Sequence, residues 1–117
     1  MRTTIVAVPT DRIVDWESFH SVFEESLGFP SYYGRNMDAW IDCLTYADDQ
    51  VAGMISRPVA KGELLTLRLD DAADFERRCP EQYRALVECS AFVNYRRADA
   101  GEGPVIALLP VGWFSAG

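Results

Sequence analysis

The stretch FPSYYGRNMDAWIDCLT, Phe29 to Thr45, decides how the rest of the chain is read. A turn-rich aromatic run, with Pro30, two tyrosines and Gly34, leads into a short periodic segment. Asn36 is placed to cap that segment, and Met37, Trp40, Ile41 and Leu44 recur at i, i+3, i+4 and i+7, which predicts a helix with one buried face. The same helix carries Asp38 and Asp42 four residues apart on its other side, where like charges repel by roughly 0.2–0.5 kcal/mol in an isolated helix. Asp38, in the first turn, is favoured by the helix dipole, but Asp42 has no such local benefit. A small local cost without local return points to a binding use.

Upstream, TTIVAV (Thr3 to Val8) is short, β-branched and bounded by Pro9, and it reads as a buried strand. Asp15 is a candidate cap for a helix bearing Trp16, Phe19, Val22, Phe23 and Leu27, with Gly28 as its stop. Downstream, residues 47–62 carry Gly53, Pro58 and Gly62, which break any long element, though VAGMIS could form a helical turn. LLTLRL (Leu64 to Leu69) reads as a second strand. A short helix from Asp70 or Asp71 follows, then a longer one from Pro80 carrying Tyr83, Leu86, Val87, Ala91 and Tyr95. PVIALL (Pro104 to Leu109) reads as a third strand, and Trp113 and Phe114 belong to an extra tail, residues 110–117, expected to fold back over the core. Strands separated by helices imply parallel pairing with right-handed crossovers. The expected fold is a single α/β domain over residues 1–117, a three-stranded, mostly parallel sheet with about four helices.

Charge is unevenly placed. The formal net charge is −7, and residues 11–50 hold nine acids against two bases, the whole excess. Such a surface repels phosphate backbones and steers basic proteins toward itself, so the expected partner is a basic protein and not a nucleic acid. No apolar run reaches the roughly 20 residues a membrane helix needs, and the N-terminal apolar stretch is too short for a signal peptide. Three cysteines without metal-type spacing and a single histidine, His20, argue for reduced thiols, a cytoplasmic setting and no metal or other cofactor. Asp38 and Asp42 do not read as a catalytic pair, because carboxylates side by side on one helix leave no path for a substrate between them. No nucleophile motif or phosphate-cradling loop is present, so the chain does not read as an enzyme.

The residues from Phe29 to Thr45 resemble the signature of the barstar family, intracellular inhibitors of secreted bacterial ribonucleases. The likeness rests on Tyr32, Tyr33, Gly34, Asn36, Asp38, Asp42, Cys43, Leu44 and Thr45, and it extends upstream to His20. It implies a barstar-like fold whose second helix and preceding loop plug the active site of a basic ribonuclease, the chain being a monomer when free. Asp42 would be the main anchor, replacing a substrate phosphate. Asp38 would pair with a second basic group, while Tyr32 and Asn36 would meet the rim. The implied contact set is Tyr32, Tyr33, Gly34, Arg35, Asn36, Asp38, Ile41, Asp42, Thr45 and Tyr46. The sequence departs from the family at Arg35, basic where barstar has an acid, and at Ile41 and Ala47, which replace tryptophans. Against the family, residues 47–62 look like an insertion beside the binding helix and the tail 110–117 is extra. Arg97 stands where barstar has a glutamate that touches the enzyme. Arg35 and Arg97 are thereby candidates to meet acids on a different target. The alternative function is a barstar-fold module for another basic partner, such as a non-ribonuclease toxin.

Overall fold

A computed structural model describes residues 2–56 and 59–112. Its elements are β1 (Thr3–Val8), a 3-10 turn (Thr10–Arg12), α1 (Trp16–Leu27), α2 (Met37–Thr45), β2 (Leu64–Leu69), α3 (Ala72–Arg78), α4 (Pro80–Asp99) and β3 (Ile106–Pro110). The strands lie in the order β1-β2-β3, and both pairings are parallel, from Thr3↔Leu64 to Val8↔Leu69 and from Leu65↔Ile106 to Leu69↔Pro110.

Register decides the core. One face of the sheet aligns Val6 and Val8 with Leu65, Leu67 and Leu69 and with Ile106, and all six are buried. Phe19, Phe23 and Leu27 of α1, Trp40 and Leu44 of α2, and Phe75 of α3 complete this core. The opposite sheet face leaves Ile5 and Leu109 exposed. Parallel sheets are usually covered on both faces. The expected buried strand at Thr3–Val8 is therefore an edge strand packed on one side only, with Thr3, Ile5 and Ala7 outward. The strand periodicity of two is what carries alternate residues to solvent.

Capping fixes where helices begin and stop. The Asp15 carboxylate accepts from the Ser18 amide at 2.8 Å, and the Ser18 hydroxyl accepts from the Asp15 amide at 3.0 Å, a reciprocal capping box. The Ser18 amide and the Ser18 hydroxyl both donate to the Asp15 carboxylate and hold it below its ordinary range. Gly28 ends α1 at φ +64, a conformation that glycine adopts without steric cost. The segment after α2 is tied to this corner, since the Ser56 amide donates to the carbonyls of Leu27 (3.0 Å) and Gly28 (3.1 Å). Ile55 and Val59 of the same segment are buried in the core.

α4 departs from the sequence reading. Its inward residues are Gln82, Leu86, Ser90, Val93 and Arg97, whereas Val87, Phe92 and Tyr95 are exposed. Its apolar residues trace no single stripe, so a face chosen on hydrophobicity alone was misplaced. What turns Arg97 inward is a buried acid, described below. Trp113 and Phe114 lie outside the described residues. Among the described residues, no helix is long and apolar enough to cross a membrane.

Candidate functional site: an acid-faced helix and its clasped loop

The loop before α2 is held against α1 at two points. His20 Nδ1 and the Tyr33 hydroxyl lie 2.6 Å apart, both residues buried. Trp16 stacks on the His20 ring at 5.9 Å, and Phe29 packs on Tyr33 at 4.6 Å. Burial pushes the His20 imidazole below its ordinary value, and the Arg35 charge acts in the same direction. Burial pushes the Tyr33 phenol up. The pair is thus neutral at physiological pH. Tyr33, expected to face a partner, is only 6% exposed and belongs to the scaffold. The physical reason is that the buried imidazole needs a polar mate, and the phenol supplies one.

Arg35 is the second point. It adopts φ +53, an αL conformation that costs a non-glycine residue of order 1–3 kcal/mol. Its guanidinium turns back onto α1, donating to the Glu17 carbonyl (3.0 Å) and the Ser21 hydroxyl (2.9 Å) and approaching Glu24 Oε1 (3.4 Å). Arg35 is therefore tied to its own chain in the free protein, while its side chain stays 38% exposed. Gly34 and Asn36 sit exposed between these points. Asn36 Oδ1 accepts from the Ala39 amide at 2.8 Å and so starts α2. Tyr32 projects outward, 73% exposed, with its hydroxyl 3.7 Å from Met54 Sδ.

On α2, the expected split of faces is present. Trp40 is fully buried and meets Phe23 edge-on at 5.7 Å, while Asp38 and Asp42 are exposed. Cys43 is buried, and burial together with the adjacent Asp42 pushes its thiol up to about 11. Ile41 and Thr45, named among the contact residues, lie beneath the surface, and the Thr45 hydroxyl is spent on the Ile41 carbonyl at 2.7 Å. Tyr46, which closes the helix, is exposed.

Two arginines from the last turn of α4 reach this region, and the sequence reading missed what they do. Arg96 Nη1 donates to Asp42 Oδ1 at 2.9 Å at the surface. Arg97 grips Asp48 through two bonds, Nη1–Oδ1 at 3.0 Å and Nη2–Oδ2 at 2.9 Å, and also donates to the carbonyls of Thr45 (2.9 Å) and Gly103 (2.7 Å). Arg97 and Asp48 are both buried, so neither is offered to a partner. Among the described residues, Arg96 and Arg97 thereby join Arg12 and Arg35 in pairing with acids of residues 11–50. Nothing local announces this, because 54 residues separate Asp42 from Arg96 and 49 separate Asp48 from Arg97.

The outward residues of the expected contact set are Tyr32, Gly34, Arg35, Asn36, Asp38, Asp42 and Tyr46. Asp38 has no ion-pair partner among the described residues, and the two aspartates project from one side of a single helix. Such an arrangement can receive cations through charge-assisted hydrogen bonds. Among the described residues, no group of three or more His, Cys, Asp or Glu side chains converges as a metal site would require.

A parallel three-stranded sheet, four helices and an acid-faced helix behind a clasped aromatic loop together make a small α/β domain. Residues 3–108 match the family described as Barstar (barnase inhibitor), and the chain belongs to that family. A 29-residue segment is 55% identical to a Bacillus subtilis (strain 168) protein named "Putative ribonuclease inhibitor YrdF". That match spans 25% of this chain and 32% of the other protein's length.

Proposed function

We propose that this chain inhibits a basic bacterial ribonuclease by seating α2 and the loop before it in the enzyme's active-site cleft. The observation that carries the reading is the exposed pair Asp38 and Asp42 on a helix whose leading loop is clasped twice to α1. Asp42 anchors in the cleft in place of a substrate phosphate, and Asp38 meets a second cation. Tyr32 and Tyr46 flank them as aromatic contacts, which give area at low entropy cost. The clasps at Tyr33 and Arg35 hold the loop in its bound shape beforehand, so less ordering entropy is lost on docking. The inhibitor does no chemistry. It excludes RNA by occupancy and charge, over an interface of about 800 Å² on each partner. The setting that fits is the cytoplasm of the cell that makes the enzyme, where the chain acts as an immunity protein.

The test is stoichiometric titration of barnase with this protein, reading RNA cleavage. The reading predicts cleavage falling to background near one equivalent, with the required excess rising at high salt. Undiminished cleavage at a large excess would contradict inhibition of that enzyme.

A further inference from the structure

Arg96 and Arg97 are neighbours in sequence but are held in opposite ways. Arg97 is buried, forks onto both oxygens of Asp48 and donates to two backbone carbonyls. Arg96 makes a single bond to one oxygen of Asp42, and the two side chains are 37% and 56% exposed. A wet, one-point ion pair shifts an equilibrium by at most about fivefold, so it is readily exchanged. Asp42 Oδ2 has no intrachain partner among the described residues, which leaves an open approach for an incoming cation.

We propose that Arg96 sets target selectivity by acting as a built-in competitor for Asp42. It occupies the carboxylate in the free protein, and a partner must displace it to reach that group. The inference rests on the reading of Asp42 as the anchor. A lone surface lysine, offering one point charge, gains little over the arginine already in place. A cleft with two or more convergent cationic groups can take both carboxylate oxygens and repel Arg96 from Asp42. The selected partner is thus a protein with a clustered cationic cleft, not merely a basic surface. Arg96 also places positive charge in the middle of an acidic face, which slows steered encounter with weakly basic proteins.

The experiment measures affinity for barnase of the unaltered protein, Arg96→Gln, Asp42→Asn and the double variant. It is run at low salt and at about 0.5 M salt, where long-range steering is screened. Arg96→Gln is expected to tighten binding by roughly two- to tenfold. The part of this gain that survives high salt should vanish in the Asp42→Asn background. Inhibition gained by Arg96→Gln where the unaltered protein has none would equally support a selectivity role. Affinity unchanged or weakened by Arg96→Gln, while Asp42→Asn still weakens it, overturns the competitor role and leaves the anchor intact. Asp42→Asn binding as tightly as the unaltered protein, or no binding by any variant, removes the anchor reading and the competitor role with it.

Discussion

Arg97 of α4 closes on Asp48 through two parallel hydrogen bonds, 3.0 and 2.9 Å long, with the side chains only 6% and 5% exposed. The same guanidinium satisfies the carbonyls of Thr45 and Gly103, so one side chain joins the end of α2 to the turn before β3. Replacing Arg97 with methionine keeps the stem's volume but strands a buried carboxylate. That should cost about 3–5 kcal/mol. Urea denaturation of Arg97→Met and of the Arg97→Met/Asp48→Leu double variant checks it, the double losing much less than the single. Equal losses would mean that the charge itself is not the problem.

Much of the fold was legible because its signals are local. Asp15, Asn36 and Gly28 bracket helices where capping chemistry predicts, and the first two strands occupy the predicted residues. β3 runs Ile106–Pro110, two residues later at its start than expected, as strand ends are set by pairing with β2. The division of α2 into a core face and an acid face was equally readable from spacing. Three features were not, namely the inward turn of Arg97, the bridge from Arg96 to Asp42 and the burial of Tyr33. Each depends on a partner brought close only by the fold. Tyrosine and arginine are also amphipathic, so composition does not say which end meets water.

His20, the sole histidine, makes stability depend on pH in a window of its own. Its imidazole titrates below the ordinary 6.5 in the folded protein, through burial and the nearby Arg35. The unfolded chain therefore takes up the proton first as pH falls, so stability is full above about pH 6.5 and declines below it until the folded imidazole also charges. Glu17, Glu24 and Arg35 are the charged groups flanking this corner, and Tyr33 is the direct contact. Urea midpoints measured from pH 7.5 to 5 should fall for the unaltered protein and stay flatter for His20→Gln. Parallel curves would remove His20 as the cause.

Gly28 joins helix geometry to the long segment after α2. An added Cβ there would overlap the Ser56 side chain, and φ +64 strains any L-residue. Gly28→Ala should therefore lose more than the roughly 1–2 kcal/mol that the left-handed conformation alone costs. Amide exchange at Ser56, which donates to the Leu27 and Gly28 carbonyls, should accelerate with it. A neutral substitution would show that this corner relaxes freely.

The central claim is that Asp42 anchors the chain in a ribonuclease cleft. The measurement that tests it most directly is the dissociation constant for barnase of the unaltered protein, Asp42→Ala and Glu76→Ala. Glu76 is exposed on α3, outside the α2 face, so its removal changes net charge equally. The account predicts that Asp42→Ala loses at least about 2 kcal/mol, roughly thirtyfold, mainly through faster dissociation, while Glu76→Ala stays within about twofold. Equal affinity for Asp42→Ala and the unaltered protein would contradict it.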